Sequence, residues 1–479
     1  MRCNWLPEIV KRSENGTFMK GSDFDMAVIK NTAELVRKYS ILYNPQIIVP
    51  SDDEMADRLY QAGVELIVRV GVYNQSTERC IKFSREEIEE AVALAPKEVK
   101  LGLGEDAVIE RHRLVESSMP CIIHSGPTGT PTSEKYQPLI LQACAQEPLV
   151  EVLGAGSVSM YMGQPVIPKS PLEIIATRRD VAVARDALRR AGRPGMSIDD
   201  AATPLTCAGK ISAIDDENGL RKCDALLVSM WSELKTDYDQ LSRVAYLQEI
   251  DMHICNLFTP LIGGLGGGAE GTAIISIASH IVGVLCYNAC MHANGFMSLK
   301  YFHSTGRMGL WISAMTGQAI ARNTPLVSGV VPYTRSGLCT PEVLWEVAAN
   351  TVTSTVCGSG TAGVGATGGS KLDHTSGLEA RFNAEVSHAA LKLKRPEANQ
   401  FALECLRHYE HLCDDPPIGK PFPEIYNLDT LEPLPEWLDI YQRVRDEIIN
   451  LGLDLNNGWK EVRSGRRVRN DEKRLVDEL

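Results

Sequence analysis

From about residue 118 onward, short apolar β-prone runs alternate with longer segments of helical spacing, and this alternation restricts the fold more than any other feature. Eight runs can be counted: CIIHSG from Cys121, LVEVLGA from Leu149, GMSIDDA from Gly195, ALLVSM from Ala225, DMHICNLF from Asp251, FMSLKYFH from Phe296, LVSGVV from Leu326 and GTAGVGATG from Gly360. Helical patterns lie near 135–147, 171–192, 204–222, 237–249, 270–294, 308–322, 341–356 and 376–394. Eight strand–helix units are the number that closes a (β/α)8 TIM barrel. The eighth run is Gly-rich and a poor strand former, so an open doubly wound sheet is the competing arrangement.

The flanks read as helical. SDFDMAVIKNTAELVRKY from Ser22 and SDDEMADRLYQAGVELIVRVGV from Ser51 carry apolar residues at helical spacing, and SREEIEEAVALA from Ser84 places Glu87 three residues on, a capping box. Beyond Pro396 come a helix around FALECLRHYEHL, a Pro-rich connector, a helix from Leu434 and a highly charged tail from Asn456. The expected organisation is an N-terminal helical extension (1–117), the barrel (118–395) and a C-terminal helical extension with its tail (396–479).

A net charge of −12 argues against nucleic acid or an anionic membrane as partner, and with 6% aromatic residues a base-stacking platform is not expected. No apolar run suits a signal peptide or a span, so a cytoplasmic protein is expected. The 13 scattered cysteines then read as reduced thiols. Cys286, Cys290 and His292 in CYNACMH lack the pairing and spacing of a zinc site, and no metal is expected.

In a barrel the loops after the strands carry the chemistry. That rule selects His124 and Ser125 after the first run, Asp199 and Asp200 after the third, Trp231 and Glu233 after the fourth, Asn256 near the end of the fifth, His303 and Ser304 after the sixth, and Tyr333 and Arg335 after the seventh. Asp199 and Asp200 stand where an apolar strand opens into the mouth; a solvated acidic pair is the plainer alternative. Gly266, Gly267 and Gly268 form a loop that would let a cofactor or substrate approach the backbone. Glu270 just beyond them is either a proton donor or a first-turn residue satisfying the helix dipole.

Seven stretches, in order, resemble the monomethylamine methyltransferase family: SGPTGTPTSE from Ser125, PKSPLEIIA from Pro168, AGRPGM from Ala191, AGKISA from Ala208, SELK from Ser232, GGLGGGAEGT from Gly263 and TSGLEARFNAEV from Thr375. The resemblance implies a (β/α)8 barrel with a pocket in its mouth and a homo-oligomer, a hexamer by likeness. It also implies transfer of a methyl group from a methylated amine to the Co(I) of a corrinoid held by a separate partner protein. The family carries pyrrolysine at the end of the third strand; counting forward from AGRPGM and back from KISA both give Asp199 here. By the same counting, Leu227 and Leu257 stand where the family has glutamates, and Glu270 resembles a family glutamate beside the Gly-rich loop. Asp199 has no imine to capture an amine, so the resemblance points to a monomethylamine, another N-methyl compound or a quaternary amine held by charge, with Trp231 or Tyr333 adding cation–π attraction. Asp200, Glu233, Asn256 and His303 complete the expected substrate shell. Two other readings stay open: a lyase or hydrolase using Asp199, Asp200 and His303, and a non-catalytic relative that only docks the corrinoid protein.

Overall fold

The alternating units do close on themselves. In the computed structural model, which describes residues 6–200, 205–365, 367–368 and 370–456, the ring strands are β1 (His124–Ser125), β2 (Val152–Leu153), β3 (Ser197–Ile198), β4 (Ala225–Ser229), β5 (His253–Phe258), β6 (Met291–Asn294), β7 (Ser328–Val330) and β8 (Gly360–Thr361). Parallel pairing runs from β1 through β2 to β3, and from β4 through β8. Two single bridges complete the circle: Asp199 with Ala225 joins β3 to β4, and Ile123 with Thr361 joins β8 to β1. The weak Gly-rich eighth run is therefore a strand, because closure gives it partners on both sides.

Each strand is followed by its helix: α1 (Gln137–Gln146), α2 (Pro171–Arg190), α3 (Cys207–Ser212), α4 (Tyr238–Glu249), α5 (Ala269–Tyr287), α6 (Arg307–Asn323), α7 (Pro341–Val356) and α8 (Gly377–Ala390). The sixth strand corrects the sequence reading. It lies at Met291–Asn294, within the stretch to 294 whose spacing is helical, and not in FMSLKYFH, of which Met297–Ser298 only pairs with Leu261–Ile262 above the ring. Asn288 ends α5 in the left-handed conformation at φ 49°, the stop signal that the apolar run concealed. By length and composition α5 could cross a membrane, but 94% of its apolar window is buried, wrapped between the ring and the N-terminal helices.

The three helices expected there form at Gly21–Lys38, Asp53–Val70 and Arg85–Ala93, and a further one, Leu6–Asn15, precedes them. The Ser84–Glu87 capping box is present in both directions, at 3.2 and 2.8 Å. Asp53–Val70 lies so close on α5 that a Cβ at Gly63 would stand 2.4 Å from Ile277. A hairpin of Glu98–Leu101 and Val108–Arg111 covers the starts of the strands: Gly102 N donates to Cys223 O, Leu103 N to Gly195 O, and His253 Nε2 bonds Lys100 O. Its Val99 and Leu101 join Val152, Ala225, Leu227, Cys255 and Met291 in the barrel's interior core. On the outside, buried residues from both flanks and the barrel helices form one continuous cluster. The charged tail lies outside the described residues from 457 on.

Beneath β3 and β4 sits a buried ion pair. Asp224 accepts from the Arg185 guanidinium of α2, from Ile198 N at 3.0 Å and from Arg221 N at 2.7 Å, and neither side chain of the pair is more than 2% exposed. It fixes α2 against the two strands that the Asp199 bridge must join. Breaking such a pair strands a charge in the interior, at about 3–5 kcal/mol. Arg185→Met and Asp224→Asn are each expected to lower the unfolding free energy by an amount of that order, because either leaves its partner's charge buried and unpaired, and the double variant, which leaves neither charge, is expected to cost less than the two added together; additive losses would show that the pair is not what supplies the stability.

Candidate functional site

A cavity of about 290 Å³ opens at the C-terminal ends of the strands. Its floor is apolar, made by Leu227 of β4, Leu257 of β5, Ala293 of β6 and Val331 and Tyr333 after β7. Strand alternation fixes this: Leu227 and Leu257 point inward while their neighbours point to the helices. One side of the mouth is polar, with His124, Asp199, Asp200, Lys210, Asp239 and Arg243.

Asp199 follows β3 directly and lines the cavity. Its Oδ2 stands 3.2 Å from His124 Nδ1, at ion-pair range though off the line of a well-formed hydrogen bond. Its Oδ1 is buried and has no hydrogen-bond partner among the described residues. On the far side of the ring, His124 Nε2 meets Glu110 Oε2, again at 3.2 Å. Burial opposes a charge on His124, but the Glu110 and Asp199 carboxylates outweigh it and hold the ring's pKa up at about 10.

Asp200, with a left-handed φ of 83°, turns the other way and accepts from the buried Lys210 ammonium. Burial pushes the Asp200 carboxyl up and Lys210 down, each countered by the other's charge. Arg243 of α4 donates to Leu205 O at 3.0 Å, placing a second cation on that wall. Trp231 stands at the rim, 46% exposed, its Nε1 donating to Asp237 Oδ2 at 2.7 Å. Burial raises the Tyr333 phenol to about 12.

His124, Ser125, Asp199, Asp200, Trp231 and Tyr333, of the residues selected from sequence, thus come together. Others do not. Asn256 points outward between its inward neighbours and donates to Ser279 O at 3.1 Å; Gly283 of α5 leaves it room. Glu233 sits in a small side pocket and accepts from Leu261 N at 2.8 Å, holding the loop after β5, and burial raises its carboxyl. His303 is buried against Thr305, 3.0 Å from Nδ1, and burial lowers its pKa to about 4. Glu270 reaches across to the N-terminal extension, accepting from Tyr43 N at 3.2 Å. Gly266, Gly267 and Gly268 close a turn on themselves, with Gly263 N donating to Gly267 O, and a Cβ at Gly266 would stand 2.7 Å from Thr272 N. They give helix packing and do not line the cavity.

Glu110, Lys210 and Arg243 were not selected from the sequence. Glu110 had no readable signal, since Val108–Arg111 reads as two apolar residues followed by two charges, and only the structure shows Glu110 to be the buried one between exposed Ile109 and Arg111. Arg243 had none, being a polar residue on an amphipathic helix. Among the described residues no three His, Cys, Asp or Glu side chains are placed to hold a metal ion.

The family model described as monomethylamine methyltransferase MtmB matches residues 6–453. Monomethylamine methyltransferase MtmB1 of Methanosarcina barkeri is 33% identical over 444 residues, 92% of this chain and 96% of that protein. MtmB2 of Methanosarcina acetivorans is similar to the same extent, at 33% over 444 residues. The crystal structure of the Methanosarcina barkeri enzyme superposes with a TM-score of 0.90 at 31% identity, covering 94% of this chain and 98% of that one, as does that of the hydroxylamine MtmB complex.

The His124 proton is linked to folding. Its pKa rises from 6.5 to about 10 in the folded protein, so the stability it contributes is full below about pH 6.5, declines as pH rises and is gone by about 10. Melting temperature is expected to fall between pH 7 and 10, and to fall less over that range in His124→Gln; parallel slopes would mean that the ring carries no proton there.

Proposed function

The chain belongs to the monomethylamine methyltransferase MtmB family, and from that premise we propose that it moves a methyl group from a positively charged methylated amine to the cobalt of a corrinoid carried by a separate protein. The observation that carries this reading is Asp199: a carboxylate at the end of β3, in the cavity, with one oxygen tied to His124 and the other without a partner among the described residues. A carboxylate free to accept fits an ammonium nitrogen, and the apolar floor of Leu227, Leu257 and Val331 fits its methyl groups. Four aspartates against His124, Lys210 and Arg243 leave the lining with an excess of negative charge.

The corrinoid supplies the nucleophile for the methyl group. A cavity of about 290 Å³ is at the small end of ligand pockets and suits the amine alone, so the corrin ring would stand at the mouth. There Leu205 and Trp231 are exposed at the cavity, and the loops after β2 and β6 expose Met162, Ile167 and Phe302, apolar surface suited to covering a partner. As the methyl carbon leaves, the C–N bond breaks and its electron pair stays on nitrogen, so the donor must enter as a cation and departs as a neutral amine. A quaternary amine meets this at any pH; methylamine meets it when protonated. Asp199 holds the nitrogen at the end of β3, Trp231 offers an indole face at the rim, and the enclosed floor excludes water. The lyase or hydrolase reading loses His303, whose ring lies outside the cavity.

Mixing the protein with a reduced corrinoid protein and a panel of methylamines and quaternary amines is expected to consume Co(I) absorbance with one donor. Asp199→Asn, which keeps shape and removes the charge, is expected to lower that rate by roughly a hundredfold while the chain stays folded at the assay temperature, its melting temperature reduced by the loss of the ion pair with His124. Unchanged transfer would remove Asp199 from the reaction; partner binding with no response to any amine would favour the docking-only reading.

A further inference from the structure

Glu110 comes to the site from below. It is carried by the hairpin over the strand starts, a segment outside the ring, and its side chain rises into the barrel to His124. Pairing of Glu110 with Val99 and the exposure of Ile109 and Arg111 on either side fix which way it points. His124 then has a carboxylate oxygen 3.2 Å from each ring nitrogen. A neutral imidazole has one N–H and one lone pair, and would set that lone pair against one of the two carboxylates. The doubly protonated ring faces both with an N–H.

We propose that Glu110 is a positioning residue for the site: it holds His124 doubly protonated, and the imidazolium in turn fixes Asp199 by Oδ2, leaving Oδ1 to the donor's cationic nitrogen. This rests on the reading of Asp199 given above. The groups that face the ring are Glu110 from the hairpin and Asp199 from the end of β3. Beyond Asp199 stand Asp200 and Lys210, Arg243 of α4 acts on those two, and Cys255 of β5 feels both Asp199 and Glu110.

Two carboxylates and one imidazolium give the unit a single negative charge, and it keeps that charge as long as His124 keeps its proton. Glu110→Gln removes one negative charge. The unit is then neutral while the ring is protonated, and regains its negative charge when the ring's proton leaves, at a lower pH than before because burial is no longer countered from that side. Cation binding to the variant therefore displaces a proton, and to the natural protein it does not. A defect of folding alone would weaken binding equally at every pH.

The test uses the full chain without any corrinoid. Imidazole NMR signals, with His124 assigned through His124→Gln, are followed from pH 6 to 10, and tetramethylammonium, whose charge does not titrate, is the calorimetric probe. His124 is expected to stay protonated through pH 9 in the natural protein, with a midpoint at least one pH unit lower in Glu110→Gln. Tetramethylammonium is expected to bind the variant about tenfold more weakly at pH 6 and to regain affinity above the new midpoint, against a flat profile for the natural protein. Glu110→Asp, which keeps the carboxylate, should restore much of the flat profile. A neutral His124 at pH 7.5 in the natural protein, an unmoved midpoint in Glu110→Gln, or a loss of affinity independent of pH would overturn the proposal. Where Glu110→Gln does not fold, the natural protein's titration and Glu110→Asp decide. A protonated His124 that depends on Glu110, with no tetramethylammonium bound, supports the Glu110–His124 link and overturns the reading of Asp199.

Discussion

A closed sheet must satisfy its last strand as well as its first, and here two single backbone bridges do so, Asp199 to Ala225 and Ile123 to Thr361. Each lies beside the site. Asp199 closes the ring with its backbone while its side chain lines the cavity, and Ile123 immediately precedes His124. The ion pair of Asp199 with His124 therefore joins side chains from β1 and from the end of β3, with β2 between them. Closure also forces strict alternation, so that Leu227 and Leu257 floor the cavity while Asn256, one residue away from Leu257, is committed to α5.

The helices were legible because their periodicity and caps are local; the Ser84–Glu87 box and the Pro at the start of α7 mark their own boundaries. The sixth strand was not, because Met291–Asn294 contains no β-branched residue and follows an apolar helix with no Gly or Pro between. Its strand character comes from Cys255–Phe258 on one side and Ser328–Val330 on the other, partners that only the closed ring supplies. The same limit applied to the site. Knowing that a residue follows a strand placed Asp199, Asp200, Trp231 and Tyr333 at the mouth, but it did not separate them from Glu233 and His303, which follow strands too and turn into the loops to hold them together.

Glu270 and its glycines show a second way to misread a loop. A Gly-rich turn before a long helix resembles a ligand cradle, yet here the glycines let the turn close on its own backbone, and Glu270 caps a segment of the N-terminal extension through Tyr43 N. The extension does comparable service in the interior. Its hairpin seals the strand starts with Val99 and Leu101 and sends up Glu110, so a residue from outside the ring bears on the charge at the mouth.

The charges at the mouth are not equivalent. Asp200 is answered directly by Lys210, Asp237 by the Trp231 indole, and Asp239 by Cys207 N at 2.9 Å and Arg243. Asp199 shares its cation with Glu110, so the imidazolium is divided between two anions, and one Asp199 oxygen is left without a hydrogen bond among the described residues. An unanswered buried acceptor costs about 1–3 kcal/mol, more when charged. On this wall the incomplete carboxylate faces a floor of Leu227 and Leu257, which can neither donate to it nor compete with it. To the donor proposed above, this wall offers a carboxylate for its positive charge and an apolar floor for its methyl groups.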